Sequence, residues 1–378
     1  MDRAVTLYYV LTIPIHVYFL ITSICNYIYA RRTRAPMIHN GPKVSVLIPA
    51  RNEANNIERC LRSLATQSYS NYEVHVMDDN SEDGTYKLAG KIAIELEGIT
   101  SIHVHHSKEL PNGWYGKTYA MQQLVEHSKG EIILFTDADT IHNHDSVSYM
   151  VSALLHQKCD LVSGFPRQMM NSLGEKLTVP TMYMIKLLIP FFLIPSVNVP
   201  QLSFAIGQYI CIRRRALKKV GNLKPVRNLV CEDLYLAEHL KRLGCKMAVV
   251  KACHVVTCRM YNNYTEAFDG LAKSVIPTLR YDYLIVLTCY AMFYVILYPS
   301  FAMISSLITF NPPSVPVLTC ILLAQLAWAI SVYVERTFSA CCLLYPLYMF
   351  TSMAMLTYSV WNISIVGKGF IWKGRRVI

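Results

Sequence analysis

At 378 residues the chain has room for one large domain or two ordinary ones. Its 53% apolar and 16% charged residues, with a mean hydropathy of +0.28, are too apolar for an ordinary water-soluble enzyme and point to membrane segments joined to a globular part. The 36 basic against 25 acidic residues, a net +11, suit an anionic membrane surface or a phosphorylated substrate; no nucleic-acid-binding motif is present, and DNA is not an expected partner.

Ala4 to Ala30 contains no Asp, Glu, Lys or Arg, and its 27 residues are enough to cross a hydrocarbon core of about 30 Å as a helix. The segment is too long for an ordinary secretory signal and lacks a small-residue cleavage site, so it is expected to be retained. Arg31, Arg32 and Arg34 follow directly, which places this end of the span and the body of the chain on the cytosolic side.

From Lys43 onward strand and helix signals alternate. Val44 to Ile48 reads as a buried strand, left through Pro49-Ala50-Arg51-Asn52-Glu53, and helical spacing follows from Asn55 to Leu64 through Ile57 and Leu61. Tyr72 to Met77 is a second strand, ending in Asp78-Asp79-Asn80-Ser81-Glu82-Asp83-Gly84-Thr85, with a helix to about Leu96. Ile102 to His105 is a third strand, Lys117 begins a helical stretch to His127, Ile132 opens a fourth strand, and Asp160 to Phe165 is a fifth. This alternation implies an α/β fold with a mostly parallel sheet covered on both faces. Ligands of such sheets bind at the carboxyl ends of the strands, so the acids there should converge on one edge.

The fourth strand, Ile132-Ile133-Leu134-Phe135-Thr136, stops at Asp137-Ala138-Asp139. Two carboxylates one residue apart at a strand end are well situated to hold a divalent cation and, through it, a diphosphate. Asp139 would equally cap the helix near Ser146 to His156. The other clusters have ordinary readings too: Asp83-Gly84 is a strong turn pair, and Glu232-Asp233, ahead of Leu234, Ala237, Leu240 and Leu243, suits a first helical turn. Trp114-Tyr115-Gly116-Lys117 reads as a loop with an aromatic plug, or as a phosphate seat where a helix start adds backbone donors to an ammonium. Gln208 follows Gly207 on an expected strand and lines either an acceptor side or a plain strand edge. The twelve cysteines have no Cys-x-x-Cys pair and no His spacing suited to zinc; they are expected as reduced thiols.

Leu187 to Ile212 is uncharged, but Pro190, Pro195 and Pro200 interrupt it, and a single crossing would put Asp139 and Asp233 on opposite sides of a membrane. The segment 179–200 is therefore expected in the membrane interface, where an acceptor would enter, with a buried core helix as the alternative. Tyr283 to Val334 is uncharged over 52 residues and broken by Asn311-Pro312-Pro313-Ser314, which gives two spans and a tight turn. Thr337 to Gly367 is a third uncharged run. It either crosses fully, putting Lys368, Lys373, Arg375 and Arg376 outside against the positive-inside tendency, or folds back as a re-entrant hairpin.

Taken together, Pro49-Ala50-Arg51-Asn52-Glu53 after the first strand, Asp78-Asp79-x-Ser81-x-Asp83 after the second, Asp137-x-Asp139 after the fourth and Glu232-Asp233 on a later helix resemble glycosyltransferase family 2. These are inverting enzymes with the Rossmann-like GT-A fold, and the likeness covers residues 43 to about 275. Pro111-x-Gly113-Trp114-x-Gly116-Lys117, Gly207-Gln208, Arg259-Met260-Tyr261 and Trp372-Lys373-Gly374-Arg375 further resemble the membrane-bound carotenoid-acid (4,4'-diaponeurosporenoate) and hopanoid-type members, over nearly the whole chain.

The resemblance implies a nucleotide-sugar donor, UDP-glucose or a close relative, with base and ribose held by Glu53 and Asp79 with Asp78. It implies Mg²⁺ or Mn²⁺ on Asp139, helped by Asp137, and puts the general base on Asp233. Lys117 and Arg259 would add positive charge around the diphosphate, while Gln208, Glu232, Tyr261 and Trp372 would lie toward the acceptor. Processive members carry Gln-x-x-Arg-Trp beyond the base, where this chain reads Cys258-Arg259-Met260-Tyr261. A single transfer to an amphiphilic lipid is therefore expected, the acceptor being an apocarotenoid acid, another terpenoid, polyprenyl phosphate or a glycerolipid. A processive polysaccharide synthase and a non-catalytic membrane scaffold are the alternatives.

The expected organisation is a first span at 4–30, a catalytic domain at 43–278 facing the cytosol, a multi-pass cell-membrane domain of two to three spans at 283–367, and a basic tail at 368–378. If cytosolic, Trp372 to Arg376 would close over the donor or bind lipid head groups; otherwise it is a juxtamembrane anchor.

Overall fold

The computed structural model describes residues 3–33, 35–337 and 339–377; Arg34, expected to help orient the first span, lies outside the described residues. The chain begins with the long apolar helix α1 (Arg3–Arg32) and then enters the α/β unit. Here β1 (Val44–Ala50), α2 (Ile57–Ala65), β2 (Tyr72–Asp78), α3 (Thr85–Glu95), β3 (Ile102–His106), α4 (Gly116–His127) and β4 (Ile132–Thr136) follow in turn. The four strands are parallel, in the order β3-β2-β1-β4. Alternation along β1 divides the core: Val46 and Ile48 pack beneath Ile57, Leu61, Leu64, Ala89 and Ile92 of α2 and α3, while Leu47 packs on the other face with Met121 and Leu124 of α4.

After β4 the chain forms β5 (Thr140–His142), α5 (Ser146–His156), β6 (Leu161–Gly164), β7 (Arg167–Gln168) and α6 (Leu173–Thr178), then a run of short helical turns containing α7 (Ile185–Leu188). It returns as β8 (Tyr209–Arg213), α8 (Arg214–Lys219), α9 (Glu232–Arg242), β9 (Met247–Val250), β10 (Val256–Cys258) and α10 (Tyr264–Thr278). The seven-stranded sheet has the order β3-β2-β1-β4-β8-β6-β9, with β8 antiparallel to both neighbours. That reversal follows from the path of the chain. β6 ends at the same edge as β4, and the excursion 165–208 stays at that edge, so β8 must run back from it, starting with Tyr209 opposite Thr136. A small sheet, β5-β10-β7, flanks the Asp137–Asp139 turn.

The remainder is helical: α11 (Tyr283–Ile308), α12 (Val315–Val334) and α13 (Tyr345–Val360), followed by the hairpin strands β11 (Ile371–Trp372) and β12 (Arg375–Arg376). Among the described residues, Thr6–Arg32, Tyr283–Ile308 and Val315–Val334 are long and apolar enough to cross a membrane. The uncharged stretch around 187–212 is not a spanning helix. It breaks at Pro190 into short turns packed against α1 and α12. Its freed carbonyls are taken up by α1: Asn26 Nδ2 donates to the Lys186 and Ile189 carbonyls at 3.0 Å, and Tyr18 Oη to Leu188 at 2.8 Å. Irregular backbone at such a place is tolerated where protein satisfies it. In the run 337–367, α13 continues through a π-helical turn to Ile365 and packs against α6 and α10 of the α/β unit.

Candidate active site

The acidic clusters meet at the carboxyl edge of the sheet, on one side of a cleft of about 1200 Å³. Asp137 and Asp139 arrive from the end of β4, and Glu53 and Asp79 from the turns after β1 and β2. The first turn of α9 brings Glu232 and Asp233 to face them. Its preceding residue, Cys231, has φ 63°, a left-handed conformation that is costly for a residue with a Cβ and is found where a functional group must be held in place. Lys117, in the first turn of α4, bridges the two sides, 3.1 Å from Asp137 Oδ1 and 3.0 Å from Glu232 Oε1. Burial would lower its pKa, but Asp137, Glu232 and Asp233 outweigh burial and hold the ammonium well above its usual range.

Two carboxyls are strongly perturbed. Burial, then the like charges of Asp137 and Glu53, push Asp139 up to about 7 against the opposing influence of Cys258 and Lys373. Burial, then Glu232, push Asp233 up to about 7; Lys117 and the N–H groups of Leu234 and Gly207 oppose them. Asp139 sits among acids with the Cys258 thiol donating to Oδ1 at 3.4 Å. A pair of crowded carboxylates at the floor of a cleft is a donor set that a hard divalent cation fits, and such a cation would reverse the upward shift.

Other expected residues lie differently. Asp78 is 1% exposed and does not line the cleft; its Oδ2 accepts from the Ser81 N–H at 3.2 Å and lies 3.6 Å from His106, so it shapes the turn that presents Asp79. Arg259 lines the cleft, yet its guanidinium is paired at 3.0 Å with Glu175, the buried acid that caps α6. Gln208 is likewise committed: its Oε1 accepts from Gln168 Nε2 at 2.8 Å and its Nε2 donates to Cys258 Sγ at 3.3 Å, so it braces the thiol beside Asp139 rather than projecting toward an acceptor. Tyr261 is buried under Gly270 and meets Trp372 edge-on at 6.2 Å between ring centres.

The tail returns to the cleft. Lys373 and Gly374, with φ of 46° and 78°, form a two-residue hairpin turn of the kind that needs positive φ at both positions. The hairpin ion-pairs Lys373 with Glu53 and Arg375 with Asp79, the latter at 2.6 Å, and Arg51 Nε donates to the Lys373 carbonyl at 3.1 Å. Tail and acids thus meet in one cleft.

Cys258, Gln168 and Lys273 escaped the sequence reading. Lys273 projects from α10 into the cleft, its ammonium 3.5 Å over the Trp372 ring; burial and then Lys117 lower it to about 8. The available signal was the face of α10 formed by Ala267, Gly270, Lys273 and Ser274, small residues around one lysine.

A mostly parallel, doubly covered sheet with an Asp-x-Asp turn at its carboxyl edge and a facing pair of acids defines a GT-A-type transferase fold. A mannosyltransferase from Pyrobaculum calidifontis, solved with GDP-Man and Mn²⁺, shares it with a TM-score of 0.55 over 94% of this chain and 99% of that one, at 17% identity. Residues 45–221 match the family model described as glycosyl transferase family 2, so this stretch of the chain is similar to the catalytic domain of that family. Glycosyltransferase AglE of Haloferax volcanii is 33% identical over 32% of this chain and 39% of its own length. The 4,4'-diaponeurosporenoate glycosyltransferase of Staphylococcus haemolyticus is 31% identical over 30% of this chain and 29% of its own. The alignments thus span well under half the length of these relatives, and the expected likeness to the carotenoid-acid enzymes over nearly the whole chain is found over 116 residues.

Proposed function

We propose that this chain transfers a sugar, with inversion, from a nucleotide-sugar donor such as UDP-glucose to the polar head of an amphiphilic lipid at the cytosolic face of a membrane. The observation that carries the reading is the continuity of the cleft. Its polar end holds Glu53, Asp79, Asp137, Asp139 and Asp233; its far end is lined by Met184, Leu188, Cys289, Phe293, Met355 and Leu356, from the membrane-flanking turns and from α11 and α13. One relative is named for a carotenoid acid, which is an acceptor of this chemical kind.

In this reading Glu53 and Asp79 hold the nucleoside, after the tail cations leave them. Asp139 and Asp137 would hold Mg²⁺ or Mn²⁺, which supplies Lewis-acid neutralisation of the departing diphosphate. Lys117 adds a positive charge on the same side. Asp233 orients the acceptor hydroxyl and takes its proton as the oxygen attacks the anomeric carbon; the bond from that carbon to the diphosphate breaks, and the nucleoside diphosphate leaves. A carboxylate acceptor is already ionised and needs Asp233 less.

The test is incubation of the purified protein in membrane lipid with Mn²⁺ or Mg²⁺ and a panel of radiolabelled nucleotide sugars, followed by solvent partition. Label in the organic phase, lost in Asp139→Ala, is the expected result. Label in a water-soluble or insoluble polymer would establish the synthase reading instead.

A further inference from the structure

The β2–β3 edge of the sheet carries a second polar cluster that sugar transfer does not use. Strand alternation puts Glu73 and His75 on one face of β2, and parallel pairing brings His103 of β3 beside His75, with His105 two residues farther along the same face. The ring of His127, the last residue of α4, lies 4.5 Å from that of His105. Leu47 and Met77 pack apolar side chains beneath α4, so the histidines are a local departure from a hydrophobic core.

Glu73 and His75 are 6% and 5% exposed. Nδ1 of His75 lies 3.1 Å from Nε2 of His105. Its other nitrogen, Nε2, is fully buried without a hydrogen-bond partner, and faces Glu73 Oε1 at 3.3 Å. Orphaned buried ring nitrogens are rare. Glu73 is fixed in place by Lys43 on Oε2 and by Ser45 Oγ and the Lys129 N–H on Oε1, at 2.7 and 3.0 Å. One ligand atom from each of Glu73, His75 and His103 lies within 4.8 Å of the others.

We propose that Glu73, His75 and His103 bind a transition-metal cation of the zinc class, at a site separate from the catalytic cleft. Two imidazole nitrogens and one carboxylate select such borderline cations over Mg²⁺ or Ca²⁺, which prefer oxygen throughout. His105 acts from outside the ligand set, fixing the ring and tautomer of His75 through the Nδ1 contact. The exposed His103 gives the cation a route in and leaves a position for water. Bound there, the cation ties β3, an edge strand, to β2.

The test uses the full-length chain in detergent, stripped with a chelator and titrated with Co²⁺, whose visible absorption separates a low-coordinate nitrogen site from an octahedral oxygen site. One equivalent with intense bands is expected, unaffected in Asp139→Asn and bound at least about tenfold more weakly in His103→Gln. Because His103 is on the surface, that variant should fold, which circular dichroism verifies; His75→Gln is its buried companion. Bands unchanged in His103→Gln, bands lost in Asp139→Asn, a thiolate charge-transfer band, or no uptake by the unaltered chain would each overturn the proposal.

Discussion

A carboxyl poised at about 7, as in Asp233, is matched to taking a proton from a hydroxyl near neutral pH. Asp233→Asn should lower kcat about a thousandfold while leaving donor Kd within about twofold, measured by single turnover and calorimetry. Since the base works ionised, kcat/KM should fall about tenfold per pH unit below about pH 7. For folding, the sign is opposite to that of a salt-bridged carboxylate. The folded form holds this proton more tightly than the unfolded chain, so the stabilisation is complete below the unfolded value and is lost as pH rises through about 7. Asp233→Asn should therefore raise Tm at about pH 8 and leave it unchanged near pH 3, and a lower Tm at the higher pH would count against the burial account. Gly207 supports the same carboxylate: its N–H donates to Asp233 Oδ2, and an added Cβ would lie 3.3 Å from that oxygen and 3.2 Å from Lys117 Nζ. Gly207→Ala should keep the fold and cost about tenfold in kcat, a rate ratio worth ~1.4 kcal/mol. At this scale the sequence reveals residues that share a local motif, such as Asp137 with Asp139 and Glu232 with Asp233. Gln168 and Cys258 were invisible because their roles arise where β7 and β10 pair, across 90 residues of chain.

At the scale of elements, the terminal hairpin sets the state of the cleft. Arg375 and Lys373 neutralise Asp79 and Glu53, the acids assigned to the nucleoside, and both cations are about a third exposed or less. An ion pair of this kind is worth about 1 kcal/mol or less after screening, so donor binding needs only a modest displacement of the tail. Replacing both residues (Lys373→Ala with Arg375→Ala) should tighten donor Kd up to about fivefold, an effect that shrinks at high salt. Weaker binding in this double variant would mean that the tail grips the donor instead of competing with it. The hairpin itself was readable from Lys373-Gly374 only once its place was known, because the uncharged run before it fits a crossing as well as a return. The packing of α13 was not readable either: Tyr348 donates to the Lys176 carbonyl at 2.7 Å, on α6 beside α10, a contact that no local pattern encodes. β8 illustrates the same limit. Its residues announce a strand, while its direction depends on where the excursion 165–208 leaves and rejoins the sheet.

At the scale of the whole molecule, one cleft joins a charged lining to an apolar one. Charged side chains cluster where the sheet ends, and apolar side chains take over where the short turns of 179–194 meet α11 and α13. The buried Lys186–Glu335 pair ties those turns to the end of α12, so the apolar end is held against the long apolar helices. An acceptor that enters tail-first into this region would present its head to Asp233 without leaving the lipid. Cys289 tests that geometry because it is half-buried on α11, lines the apolar end, and stands apart from the acids. Cys289→Trp should fill part of the passage, at a packing cost of about 1–3 kcal/mol or less at a partly exposed site. Turnover with a long-chain acceptor should drop about tenfold, while a short, water-soluble analogue bearing the same head group is used within about twofold of the original rate. Equal losses for both acceptors would mean that the substitution disturbs the acids through the fold. No loss for either would mean that the lipid chain lies elsewhere, and the continuity of the cleft would then have no part in acceptor choice.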